Sequence, residues 1–292
     1  MTRQAVRVRG LVKVYDGRPA VDGIDLDVET GECVALLGPN GAGKTTTVEI
    51  LEGYRRRDSG DVTVLGRDPA HPTSSWRRQV GIVLQTATDN AELTVREVVE
   101  HFAHYYPDPR DPAAVMSAVG LADKRDTRTR NLSGGQRRRL DVALGIIGRP
   151  DVLFLDEPTT GFDPEARRSF WDLIELLRAD GSTILLTTHY LDEAERLADR
   201  VAVITDGRIV AEGDPASLGG RGSADAVVSW RSTEGTRSEK TAEPTRLISE
   251  LAQRFDGEIP ELTVRRPSLE DVYLALVGLH ETSEGPNPGV RP

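Results

Sequence analysis

A chain of 292 residues has room for one substantial core and a smaller appended unit. Its 47 acidic residues against 37 basic ones leave a formal net charge of −10, which argues against nucleic acid as the main partner, because phosphate-backbone binders carry a net basic face. The single cysteine, Cys33, excludes an internal disulfide and a cysteine-rich zinc site, and it suits a reducing cytoplasm.

The opening MTRQAVRVRG lacks the apolar centre of a secretion signal. Residues Val6 and Val8, Leu11 and Val14, then Ile24, Leu26 and Val28 alternate in the manner of strands and predict an antiparallel sheet layer. CVALLG is a continuous apolar run that stops at Gly38, and VLFLDEP and TILLTTH repeat the form downstream. Such runs predict parallel strands buried on both faces, each followed by a helix, with a ligand at their carboxyl ends. Between Leu93 and Asn131 the pattern turns helical, broken by PDPRDP, which predicts a helical insert. RVAVITDGRIVAEG predicts a hairpin turning at Asp206 and Gly207.

From Leu218 the composition shifts to the linker-like GGRGSADAVV. Beyond it AVVSW and ELTVRR predict strands, PTRLISELAQRF a helix, and the scattered charges of RSTEGTRSEK a solvated loop. A last helix opens on a capping box of Ser268 and Asp271 and sets Leu269, Val272, Tyr273 and Leu276 on one face, which should be buried. The expected division is a main domain over 1–217 with its insert at about 86–140, a small α+β domain over 218–280, and a disordered tail over 281–292. No run reaches the roughly 18 apolar residues of a membrane-spanning helix, so any membrane role must come through a separate partner.

Three stretches carry chemistry. GPNGAGKTT places Gly38, Gly43, Lys44 and Thr45 at the spacing of a phosphate-binding loop. Glycines let successive amides point inward, and with the following helix N-terminus they cradle phosphate oxygens. Lys44 is then set against the β and γ phosphates and the Thr45 hydroxyl against magnesium. In VLFLDEP, Asp156 ends a buried strand and can hold that magnesium, while Glu157 can polarise a water for attack on the γ phosphate. Alone, an acidic pair at a strand end also reads as a helix cap or a solvated turn. In NLSGGQRRRL, Ser133 and Gln136 form a capping box, and Gly134 and Gly135 leave the first helical turn bare of side chains. A second anion-seeking helix start, in a chain that already has a phosphate loop, suggests a nucleotide shared between two chains. A capped surface helix is the other reading.

Together these stretches resemble the nucleotide-binding subunit of ATP-binding cassette (ABC) transporters, whose signature is LSGGQ, over about residues 6–213. The resemblance implies an α/β P-loop NTPase core with a parallel sheet, an N-terminal antiparallel β layer and a helical insert, here followed by a small α+β extension. It implies ATP and Mg2+ as ligands. Asn40, Gly41 and Thr46 join the loop's nucleotide-binding set, and Tyr15 becomes the ring on which adenine stacks. Gln85, in GIVLQ, senses magnesium and the γ phosphate and contacts the membrane partner; His189, in LLTTH, bonds the γ phosphate and steadies the attacking water. Asp163, in GFDP, reaches across a dimer, with Phe162 where many members have leucine. Two copies close head to tail, each ATP held by one chain's phosphate loop and the other's Ser133 to Gln136.

What this engine drives is a further expectation. One cassette, one cysteine and no sustained heptads point to a transporter ATPase, peripheral on the cytoplasmic face of the membrane and bound to a separate permease. The soluble ABC ATPases that act on DNA or ribosomes are the more distant reading. The C-terminal PSLEDVYLALVG resembles exporters of the ABC-2 type, including the daunorubicin-resistance class, and so favours export of a drug, antibiotic or other hydrophobic compound over an importer subunit.

Overall fold

The computed structural model describes residues 4–83, 92–233 and 235–281. In chain order the first unit holds β1 (Gln4–Tyr15), β2 (Arg18–Glu29), β3 (Cys33–Leu37), α1 (Lys44–Leu51), β4 (Ser59–Val64), α2 (Ser74–Arg77) and β5 (Val80–Val83). It continues through α3 (Val95–Ala103), α4 (Pro112–Ala118), α5 (Gly134–Ile146), β6 (Val152–Asp156), α6 (Pro164–Ala179), β7 (Thr183–Thr188), α7 (Leu191–Leu197), β8 (Arg200–Thr205) and β9 (Arg208–Gly213). The chain divides into two compact units between Glu212 and Gly213.

Two sheets make the first unit. The larger runs β5-β6-β7-β3-β8-β9, with β5, β6, β7, β3 and β8 mutually parallel. Every residue of β3, β6 and β7 is buried, which is why their sequences are continuous apolar runs instead of alternations. The smaller sheet is antiparallel, with β1 between β2 and β4 and Val6 facing both Val28 and Val64. Its inward valines and leucines pack with Val34, Leu36, Phe154 and Leu185 of the parallel sheet and with Val48, Ile50 and Leu51 of α1. The core thus fixes the end of β3 and the start of α1 from both sides, and the loop between them inherits that rigidity. β8 turns into β9 at Asp206 and Gly207, both with positive φ (49° and 75°), as a tight two-residue hairpin turn requires.

Each α-helix of the helical segment is capped at its start, and the box expected at Ser133 and Gln136 is among the caps. Thr94 and Glu97 close a capping box on α3, Asp111 caps α4 ahead of Pro112, and Ser133 and Gln136 close a second box on α5.

The second unit holds β10 (Ala226–Ser232), β11 (Gly235–Thr241), α8 (Pro244–Arg254), β12 (Thr263–Arg265) and α9 (Leu269–Glu281), with strand order β11-β10-β12. Val228, Trp230, Leu251 and Ile259 form its small core. The solvated loop expected across RSTEGTRSEK is corrected here. Gly235–Thr241 is a strand whose residues are nearly all exposed, held to β10 by a full antiparallel ladder and by Ser229 and Ser238 hydroxyls 2.8 Å apart. On α9 the Ser268 and Asp271 box forms, Leu269 is fully buried, and Val272, Tyr273 and Leu276 are half-buried.

Candidate nucleotide site

The loop from Gly38 to Gly43 leaves β3 and enters α1 through glycines at positive φ, Gly41 at 83° and Gly43 at 101°. Packing tightens the requirement. A Cβ on Gly38 would lie 2.2 Å from Ile204 O, and one on Gly43 2.3 Å from Ala20 O. Gly43→Ala must therefore push a backbone carbonyl aside while holding a left-handed φ, a strain of about 1–3 kcal/mol. We expect a lower unfolding midpoint that Mg-ATP no longer raises, read by thermal melts with and without nucleotide.

Around this loop the carboxyl ends of three parallel strands bring the polar groups together. The Lys44 ammonium is buried and donates to Gly38 O at 2.8 Å and Pro39 O at 3.0 Å, and it lies 3.4 Å from Glu157 Oε1. Asp156, the last residue of β6, accepts at Oδ1 from Thr187 Oγ1 at 2.5 Å and Thr45 Oγ1 at 3.4 Å. Glu157 follows with a positive φ of 43°, rare outside glycine, and its amide donates to Thr187 Oγ1 at 2.9 Å. Its carboxyl meets His189 Nδ1 at 3.4 Å and the Thr160 hydroxyl at 3.4 Å. His189, just beyond β7, packs its ring against Tyr190 with centroids 4.1 Å apart.

A cavity of about 530 Å³ opens among these groups, lined by Asn40, Gly41, Gly43, Lys44, Thr45, Thr46, Glu157 and His189 together with Ala20 and Thr160. Asp156 sits beneath it, 4% exposed. Two glycines, an asparagine, three hydroxyls, a cation, a carboxylate and an imidazole thus share one concave wall, the composition that a polyphosphate and its attacking water need. Among the described residues no cluster of three or more His, Cys, Asp or Glu could hold a metal unaided.

Other expected residues stand apart from that wall. Tyr15 ends β1 with Lys13 Nζ and the Arg55 guanidinium each 5.4 Å from its ring, and its hydroxyl is buried without a partner. Ser133 accepts from the Gln136 amide at 3.2 Å, and the Gln136 carboxamide oxygen accepts from the Ser133 amide at 3.0 Å. Open space surrounds the position of a Gly134 Cβ, and only Ala166 lies near that of Gly135, so the first turn of α5 is bare as expected. Asp163 caps α6 through the Ala166 amide at 2.8 Å. Gln85 lies outside the described residues.

Three contributors escape the sequence reading. Thr187 fixes Asp156 from the neighbouring strand, Thr160 braces Glu157, and the buried Arg138 guanidinium donates to Asp156 O at 2.6 Å and Pro158 O at 3.1 Å. Burial pulls that guanidinium below its ordinary value. Within QRRRL only helical phase separates Arg138 from its half-buried neighbours Arg137 and Arg139, so the signal there is faint.

Comparison with known proteins agrees with this geometry. The family model described as ABC transporter matches residues 21–160. The daunorubicin/doxorubicin resistance ATP-binding protein DrrA of Streptomyces peucetius is 38% identical over 94% of this chain and 93% of its own length. The Nod factor export ATP-binding protein I of Rhizobium sp. (strain N33) is 37% identical over 95% of this chain and 98% of its own. Among solved structures, an ATP-binding subunit of an ABC transporter superposes with a TM-score of 0.66 at 27% identity, over 73% of this chain and 90% of that one. A cbiO1 subunit from Clostridium perfringens, part of an ABC transporter complex, gives 0.63 at 30% identity, over 73% of this chain and 89% of that one. No described helix is long and apolar enough to cross a membrane, and the chain belongs to the ABC transporter family as an ATP-binding, ATP-hydrolysing subunit.

Proposed function

We propose that this subunit powers export of a drug, antibiotic or other hydrophobic compound through a separate membrane permease, on the cytoplasmic face, as one half of a head-to-tail dimer. The observation that carries the catalytic part is the convergence of Lys44, Thr45, Asp156, Glu157 and His189 on one cavity. The direction of transport is supported by two relatives, matched over nearly their full lengths, whose names specify drug resistance and export.

In this reading the amides of Asn40 to Thr46 and the Lys44 ammonium bind the β and γ phosphates. Thr45 and Asp156 offer hard oxygen donors side by side, a set that suits magnesium, with Gln85 as a further ligand. Bound magnesium supplies charge neutralisation on the phosphates. Glu157 takes a proton from the water that attacks the γ phosphorus in line as ADP leaves, and His189 holds the γ phosphate and that water. Tyr15 carries the adenine. Ser133, Gly134, Gly135 and Gln136 meet the nucleotide of the second copy, an assignment supported by the bare first turn of α5, and Asp163 links the two sites.

For the permease we assign the groove lined by the end of β5, whose sequence continues into the segment that holds Gln85. Ile82 and Val83 lead directly into that segment and line a cavity of about 480 Å³ with Tyr54, Phe102 and Tyr106. Tyr54 is 76% exposed, an aromatic ring left to solvent until something covers it.

The test is a pull-down of the tagged chain from solubilised membranes of its own cells, with ATP turnover assayed in the same fraction. The expected result is a multi-spanning permease without a solute-binding protein. Recovery of a solute-binding protein overturns export, and recovery of ribosomes or DNA-repair factors without a membrane protein overturns transport.

A further inference from the structure

Beneath the loop that follows Glu157 lies a carboxyl to which the phosphate chemistry above gives no task. Glu193, on α7 one turn beyond His189, is wholly buried. Its Oε1 accepts from Trp171 Nε1 of α6 at 3.2 Å. The hydroxyls of Thr188, next to His189, and of Thr159, in the loop just past Glu157, face the same carboxyl. Burial pushes the acid above its ordinary value, against the pull of these donors and of Arg167. Arg167 itself lies 3.6 Å from Asp192 and stacks over Tyr190 at 4.2 Å, and Arg138 faces the same region from α5.

Among the buried atoms here that lack a hydrogen-bond partner are Glu193 Oε2 and Thr159 Oγ1. Buried polar atoms are nearly always satisfied, because leaving one open forfeits its hydration without return. Two such atoms on facing side chains can satisfy each other with a small rotation: a neutral carboxyl donates from Oε2, and the threonine oxygen accepts while keeping its own proton to donate. The elements concerned are those that bear the reacting groups. Thr159 belongs to the Glu157 loop, Thr188 to the strand end before His189, and Trp171 to the helix that starts at Asp163.

We propose that Glu193 is a positioning residue for ATP cleavage: anchored to Trp171, it closes on Thr159 and so fixes the Glu157 loop against the strand end that carries His189. The inference rests on the assignment of Glu157 and His189 made above. Glu193 touches no phosphate in this scheme and acts only by holding the loop at the distance the attacking water needs.

The test uses the full chain, with ATP cleavage followed in a single turnover at excess enzyme and binding followed by titration with a fluorescent ATP analogue. Thr159→Val removes one hydroxyl at nearly constant volume, and we expect cleavage to slow about tenfold with affinity held within about twofold. Glu193→Ala should slow it at least as much, and the double variant no further, because both break one link. Glu193→Gln keeps a donor and an acceptor in the same shape and should cleave within about threefold of the parent. Parental cleavage by Thr159→Val, a loss of affinity in step with the rate, or a Gln variant as slow as the Ala one each overturns the proposal. If Glu193→Ala does not fold, as a melting curve will show, the other two variants carry the test. Glu157→Gln run alongside separates the failures, since undiminished cleavage by that variant overturns the catalytic assignment instead.

Discussion

Glu157→Gln is expected to cut ATP turnover by about 100- to 1000-fold while leaving ATP affinity within about threefold, the range that a positioned general base contributes. The substitution keeps the shape of the side chain and its reach to the Thr160 hydroxyl, which lies 3.4 Å from Oε2. It leaves the hydroxyl of Thr45 and the carboxylate of Asp156 untouched, so the oxygens proposed to hold magnesium are kept. What it removes is the negative oxygen 3.4 Å from both Lys44 Nζ and His189 Nδ1. Without a base the nucleotide stays intact, and the head-to-tail dimer should persist for as long as ATP fills both sites. Sedimentation with and without ATP checks the dimer, and single-turnover cleavage checks the chemistry. Turnover within tenfold of the parent would place the base elsewhere; a variant that binds ATP but stays monomeric would count against the shared site.

The parts of the site that are read from the sequence are those whose chemistry is local. GPNGAGKTT curls where it does because Gly41 and Gly43 take a positive φ that ordinary residues hold only under strain, and close packing excludes a Cβ at Gly38 and Gly43. VLFLDEP is legible for a related reason, since a strand buried on both faces leaves its first polar residue at the rim. Contributions from across the fold are not legible in this way. Nothing in TILLTTH marks Thr187 as the hydroxyl that holds Asp156, because their proximity is set by the order of β6 and β7 in the sheet.

The same logic accounts for β11, whose sequence predicts a solvated loop. GTRSEKT carries no apolar alternation because hardly any of its residues are buried. It is extended because β10 offers it a ladder, so its structure comes from its partner and not from its own pattern. Arg138 and Glu193 illustrate the converse case. Both are charged residues in polar runs, yet each is buried where it can hold the backbone or the side chains around Glu157.

Lys44→Met is expected to weaken ATP binding by about 10- to 100-fold, the equivalent of one charge-assisted hydrogen bond at about 1.5–3 kcal/mol, and to abolish turnover. Methionine fills nearly the same volume, so the core behind α1 should survive and the melting curve without nucleotide should move little. Lys44 Nζ is now bound to Gly38 O and Pro39 O and lies against Glu157. Phosphate oxygens offer the ammonium stronger acceptors in that same cradle, and their arrival draws it off the carboxylate. In the proposed mechanism the lysine thus acts twice, attracting the phosphates and releasing Glu157 from its ion pair just when a base is needed. The methionine variant separates the two roles, because its Glu157 is free of the lysine before any nucleotide binds. Titration with a fluorescent ATP analogue reads the affinity, and cleavage at saturating ATP reads the chemistry. Full affinity with lost cleavage would confine Lys44 to the transition state, whereas parental behaviour in both would remove it from the site.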